Sequence, residues 1–206
     1  MLMWVSVVRC RQIAEHFEDD FIQKKARKTR RQLQAEKVIN ASKLVEKANA
    51  VANPLEPLSH FHKYTSKDGA VVELSCDKVT NLPAETVQWI CDLMERNMKT
   101  LYEQSAWGWN KEEKDKELTE ASAWYLLAKH EGKLIGFSHF RFDMDNAVQV
   151  LYCYELQLEA SERRKGLGRF MMRCLEAMAA NNQMQKVVLT VLKKNPAAHS
   201  FFLKLG

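Results

Sequence analysis

The sequence has no Cys-x-x-Cys pair, no internal repeat, no low-complexity segment and no apolar run long enough to cross a membrane. Each absence narrows the choice. The five cysteines, Cys10, Cys76, Cys91, Cys153 and Cys174, are odd in number and scattered. That argues against a disulfide framework and for reduced thiols inside a cell. His60 and His62 have no cysteine or carboxylate cluster beside them, so they read as surface loop residues and no metal site is expected. The apolar opening, residues 1–8, is far shorter than the roughly 20 residues of a membrane span. It also lacks the charged start and small-residue cleavage site of a secretion signal. It reads as a variable addition, residues 1–22, without an assigned function. No Gly-x-x-x-x-Gly-Lys-Ser/Thr run occurs, which removes the commonest phosphate loop.

What is present suits one domain with an extension: 206 residues, 46% of them hydrophobic, can fill a core. Residues 23–53 form a basic helical extension. Lys24, Lys25, Arg27, Lys28, Arg30, Arg31 and Lys37 supply much of the formal net charge of +5. Val38, Ala41, Leu44, Val45, Ala48 and Val51 follow at helical spacing, a stripe able to dock on the domain, and Asn53-Pro54 ends it. The basic run reads either as a solvated helix face or as a nuclear-import or nucleic-acid patch, so nucleic-acid binding stays open. In the domain, residues 54–206, strands are expected over 69–79, 124–129, 134–142, 148–158 and 187–192. Helices are expected from Pro83 to about Tyr102, over 111–120 as an exposed charged helix, over 167–180, and from Ala197 onward. The Glu131-Gly132-Lys133 turn signals a hairpin. The class is mixed α/β, a central mixed sheet with flanking helices, with an antiparallel start and a βαβ finish.

The stretch 151–168 carries the chemistry. Its second half, Ser161-Glu-Arg-Arg-Lys-Gly-Leu-Gly168, places Arg163, Arg164 and Lys165 at the start of a helix whose dipole is already positive there. An anion would satisfy those charges and the unpaired helix N–H groups together. Gly166 and Gly168 remove side chains that would block close approach. A solvated, charged loop remains the plain alternative. In the first half, strict alternation puts Tyr152, Tyr154, Leu156 and Leu158 on one face, and Leu151, Cys153, Glu155 and Gln157 on the other. Glu155 is the odd residue, a carboxylate in a strand that should be buried. Desolvation would make it a better base, and a salt-bridged structural Glu is the alternative.

Arg163-x-x-Gly166-x-Gly168 resembles the acetyl-CoA signature of the GCN5-related N-acetyltransferases, and Asn195 to Gly206 resembles the helix that follows it in that superfamily. Tyr102 to Trp109, Phe137 to Asp143 and Leu151 to Glu155 are similar, more narrowly, to the N-alpha-acetyltransferase D subfamily, which acetylates histone N-termini. The likeness runs from about Asn53 to Gly206. It implies acetyl-CoA as cosubstrate, with Leu156, Gln157 and Leu158 binding pantetheine through backbone, Arg164, Lys165, Gly166, Leu167, Gly168 and Arg169 binding pyrophosphate, and Asn195 near the thiol. It implies Glu155 as catalytic base. Tyr102, Asp143, Met144, Asp145, Tyr154 and Thr190 would bind the peptide, Asp143 and Asp145 taking its N-terminus and its arginine. A bulge in the strand would bring Glu155 to the tyrosines. Trp107 and Trp109 read equally as packing aromatics. Phe202 stands where many relatives carry a general-acid tyrosine. The resemblance further implies histone N-terminal peptides as partners, no membrane, a monomer, and a place in nucleus and cytoplasm. The family continues beyond the position of Gly206, so a shortened domain with a bare sheet edge is expected. Acetylation of lysine or small amines, and an inactive chromatin-binding module, are the competing functions.

Overall fold

The computed structural model describes residues 2–9, as backbone, and residues 28–205. Lys24, Lys25, Arg27 and Cys10, singled out above, lie outside the described residues. The elements in chain order are β1 (Leu2–Arg9), α1 (Arg30–Asn49), β2 (Lys63–Thr65), β3 (Val71–Lys78), α2 (Ala84–Glu103), α3 (Lys111–Leu118), β4 (Trp124–His130), β5 (Lys133–Asp145), β6 (Val148–Leu158), α4 (Leu167–Asn181), β7 (Lys186–Leu192) and α5 (Pro196–Leu203). The strands form one sheet in the order β1-β7-β6-β5-β4-β3-β2. Every adjacent pair is antiparallel except β6 and β7. A parallel pair needs a crossover, and α4 supplies it.

The alternation of β4 shows how the sheet divides the core. Trp124, Leu126 and Ala128 enter one apolar cluster and Tyr125 and Leu127 the other. On the first face lies α4, whose Leu167, Met171, Cys174, Leu175 and Met178 are buried at the helical spacing of the sequence. Burying one Leu or Met side chain fully is worth about 1.5–3 kcal/mol, so this stripe alone fixes the helix. The second face is closed by α2 through Ile90, Leu93, Met94 and Met98. Pro83 precedes its first turn, where a missing N–H is harmless.

From residue 28 onward, the basic extension packs on this body. Thr29 and Gln32 form a capping box that starts α1. Ala41 and Ala48 are buried, and Leu44, Val45 and Val51 pack against the α4-face cluster. Asn49 ties the helix end down, donating to the Phe142 carbonyl at 3.0 Å, while its own carbonyl accepts from Lys78 at 2.9 Å. Arg30, Arg31 and Lys37 remain exposed.

Two expectations change at the sheet edges. Residues 2–9, given no function above, form β1, which pairs with β7 from Leu2↔Leu192 to Arg9↔Lys186. The outer side of β7 is therefore paired, and among the described residues the open edges of the sheet lie at β1 and β2. An edge strand of β-branched and apolar residues pairs wherever an open ladder is offered, and composition alone does not say with which one. The short β2 was also unforeseen. It aligns Tyr64 against Phe170 of α4, ring centroids 5.0 Å apart.

Candidate active site

The site is made by an irregularity in β6. Opposite β5 the register runs His139↔Glu155 and then Phe140↔Cys153, leaving Tyr154 as an extra residue. This β-bulge switches the faces: Leu151 and Cys153 before it, and Leu156 and Leu158 after it, all pack in the α4-face cluster. Glu155 consequently turns to the same side as Tyr152 and Tyr154, as a bulged strand requires and strict alternation forbids. Ser138 pins the bend by donating to the Glu155 carbonyl at 2.9 Å.

The same strand then loses its other neighbour. Pairing of β6 with β7 ends at Cys153↔Leu189, although β6 continues to Leu158. The two strands splay, and the backbone of residues 154–158 faces a cavity of about 800 Å³ instead of a strand. Gly136 allows the close approach of β5 at this end, since a Cβ there would lie 2.3 Å from Leu158 Cδ2.

Glu155 is 8% exposed. Burial pushes its carboxyl above the ordinary range, and Lys114 and Gln157 only partly offset this. Its Oε1 lies 3.5 Å from Lys114 Nζ, and its Oε2 accepts from Gln157 at 3.0 Å. Behind Gln157 the donors line up: Arg163 donates to Asn97 Oδ1 at 2.7 Å, and Asn97 donates to Gln157 Oε1 at 3.1 Å. The first arginine of the basic loop is thus linked by side chains to the buried carboxylate.

Lys114, Glu117, Asn97 and His139 were missed in the sequence. The charged α3 has no apolar stripe, so it reads as a solvated helix; in fact Lys114 is 11% exposed and bonds Glu117 at 2.9 Å and the Tyr102 hydroxyl at 3.3 Å. His139 is fully buried, stacked between Tyr125 (5.3 Å) and Tyr154 (4.9 Å). It accepts at Nε2 from Arg141, whose guanidinium also lies over the Tyr154 ring at 4.6 Å. Burial, with Arg141 and Lys114 adding to it, lowers the His139 pKa to about 3. An unfolded histidine takes up its proton near pH 6.5, so below that pH the unfolded chain binds more protons than the folded one. Stability should therefore fall as pH drops from 6.5 towards 3, by about 2 kcal/mol at pH 5. A His139→Phe variant, which keeps the stack, should show a flatter loss in thermal melts at pH 7 and pH 5; an unchanged slope would remove His139 from the acid response.

Beyond β6, the basic loop takes the left-handed backbone at Arg164 (φ +66°) and at Gly166 (φ +96°), which N-caps α4. Such a conformation at arginine is strained. Tyr64 braces the turn, its hydroxyl donating to the Lys165 carbonyl at 2.6 Å. Arg164, Gly166, Gly168 and Arg169 line the cavity, whereas Leu167 turns its side chain into the core and offers only backbone. Across the opening, Asn195 caps α5 by accepting from Ala198 at 3.0 Å, and Phe202 lines the cavity without a hydroxyl. Trp107 is exposed at the rim, while Trp109 packs edge-on to Tyr102 at 5.7 Å.

The expected peptide residues are only partly brought together. Tyr102, Tyr154, Glu155 and Thr190 line one cavity, with Tyr152 between Tyr154 and Thr190. The acidic turn is not part of the cavity lining, although Asp143 and Asp145 lie near enough for their charge to act on Tyr152. Asp143 and Met144 lie at the far end of β5, and Asp145 is buried with its Oδ2 held 2.7 Å from Lys186 on β7. A local turn signal cannot reveal a lysine 41 positions away. Among the described residues no group of three His, Cys, Asp or Glu side chains could hold a metal ion, and no helix is long and apolar enough to cross a membrane. His62 binds the Leu55 carbonyl through Nε2 at 3.2 Å.

A bulged strand that parts from a parallel partner, with a glycine turn and a helix N-terminus at the opening, defines an acyl-group transferase of the acetyltransferase kind. The sequence profile of the acetyltransferase (GNAT) family matches residues 86–206, more than half of the chain, which therefore belongs to that family. Aminoglycoside N-acetyltransferase AAC(6')-Iy, solved in complex with CoA, shares the fold at 13% identity, covering 67% of this chain and 88% of that one with a TM-score of 0.50. A transcriptional regulator from Bacillus halodurans C-125 shares it at 12% identity, covering 65% and 92%, also with a TM-score of 0.50. Likeness at this level concerns the fold alone; the acceptor must be argued from the site.

Proposed function

We propose that this protein transfers the acetyl group of acetyl-CoA to the N-terminal α-amine of histone tails of the Ser-Gly-Arg-Gly type. The observation that carries the reading is Glu155, a buried carboxylate turned by the bulge towards Tyr102 and Tyr154 where β6 leaves β7. The cosubstrate fits the residues present. The backbone at 156–158, which β7 leaves unpaired, can pair with a pantetheine arm as an added strand does. The opening of α4 offers unpaired N–H groups beside Arg164 and Arg169, and Gly168 leaves room for a pyrophosphate to reach them. Acetyl-CoA, when bound, supplies an activated acyl thioester.

Glu155 accepts the proton from the entering α-ammonium, whose ordinary pKa of roughly 8 makes that transfer modest near neutral pH. An N–H of the splayed strand polarises the thioester carbonyl. Asp143, whose charge reaches Tyr152 and Tyr154, is the carboxylate left to meet the peptide's arginine; Asp145 is taken by Lys186. Histone tails as partners set the place of action in nucleus and cytoplasm.

The Asp145–Lys186 ion pair also favours a second reading, in which the acceptor is a lysine side chain or a small amine. Mass spectrometry after incubation with acetyl-CoA and a Ser-Gly-Arg-Gly-Lys peptide decides between them. Acetyl should appear on the α-amine, and changing the peptide's arginine to alanine should remove most of the product. Label on lysine, or equal turnover of both peptides, favours the second reading.

A further inference from the structure

The carboxylate assigned as base is not free in the fold. It shares Lys114 with a second carboxylate, Glu117, and the same ammonium also donates to the Tyr102 hydroxyl from α2. The other groups around Glu155 are uncharged: Gln157 and the buried Cys153 thiol on its own strand, Tyr125 from β4 and the neutral His139 opposite it on β5. Arg141 stands behind His139, committed to Glu120 and to the Glu117 carbonyl. Lys114 is accordingly the cation placed to act directly on Glu155, and it comes from the charged helix α3.

We propose that Lys114 is a positioning residue: its ammonium, clamped between Glu155, Glu117 and Tyr102, keeps the Glu155 carboxylate ionised and aimed into the cavity. This deepens the reading of Glu155 as the base and rests on it. The clamp is a fixed charge and not a proton shuttle. Burial works against its charge, but Glu155, Tyr102 and Glu117 outweigh that and hold Lys114 above the ordinary lysine range. An anionic base in a dry site needs such a partner, because an isolated buried carboxylate takes up a proton instead of staying charged. The same fixed cation disfavours a second positive charge beside it, so an amine entering next to Glu155 is pressed to give up its proton. Glu117 sets the strength of the clamp by competing for it.

The test reads Glu155 directly. Its side-chain carboxyl is followed by NMR in protein labelled with ¹³C at the glutamate carboxyl carbon, the signal being identified by its loss in Glu155→Gln. In Lys114→Met the Glu155 titration should move upward by about one to three pH units, and the acid limb of kcat/KM should move with it. Lys114→Arg should restore both. Glu117→Gln should do the opposite, lowering the Glu155 titration by removing a like charge and releasing Lys114 to it. This variant keeps the question open to refutation even if Lys114→Met does not fold. A Glu155 titration that stays put in both Lys114→Met and Glu117→Gln, or that rises in Glu117→Gln, overturns the proposal. The two readings fail separately: near-native turnover of Glu155→Gln removes the base, while the carboxyl titration still decides what Lys114 does.

Discussion

Glu155→Gln is expected to keep the fold and CoA binding while losing about 10²–10⁴-fold in turnover, the usual worth of a general base. The amide is isosteric and still accepts from Gln157, so the bulge, which Ser138 pins through the backbone, should stand. What disappears is the acceptor for the amine's proton. The pH profile offers an independent check. Burial raises the Glu155 carboxyl above its ordinary 4.5, and the base works only when ionised. The rate of the native enzyme should therefore fall as pH drops through that raised value, with the acid limb lying above 4.5. Stopped assays with acetyl-CoA and the Ser-Gly-Arg-Gly-Lys peptide measure both effects. A near-native rate for Glu155→Gln would return Glu155 to a purely structural ion pair with Lys114.

How far this site could be read from the chain depends on the range of the interaction concerned. The strand, glycine turn and helix of residues 148–181 are written in local terms, apolar spacing and missing side chains, and their bounds agree closely with the structure. The reversal that brings Glu155 to the tyrosines is not local. It needs an extra residue at Tyr154 measured against β5, which alternation within one strand cannot express. Lys114 was hidden for a related reason: eight residues of almost continuous charge in α3 look alike until tertiary packing buries one of them. Asp145 shows the reverse error. A polar turn after a strand suggested two open carboxylates, whereas β7 brings Lys186 against one of them. The sheet order has the same character, since an apolar segment at residues 2–9 carries no mark of pairing with β7, which begins at Lys186, 184 positions after Leu2 (186 − 2).

Gly168→Trp is expected to abolish measurable CoA binding, a loss of at least about 100-fold. The geometry leaves a larger side chain one direction, into the cavity. A Cβ at Gly168 would already stand 3.4 Å from Phe201 Cζ and 3.7 Å from Leu158 Cδ1, so the indole cannot fold back against α5 or β6. It must extend into the cavity that Gly168 lines with Arg164 and Arg169, where the pyrophosphate is proposed to lie. Hydrogen bonds to a charged group are worth about 1.5–3 kcal/mol each, so forfeiting two of them at the lower figure costs about 3 kcal/mol, a factor of roughly 100 in Kd. The backbone at Gly168 is ordinary helix, in contrast to the left-handed Gly166, and for that reason the substitution should not break α4. Calorimetry with CoA measures the affinity, and a thermal melt run alongside checks the fold. Unchanged affinity in a folded variant would mean that no anion approaches the α4 N-terminus, and the glycine turn would then be only a connection between strand and helix.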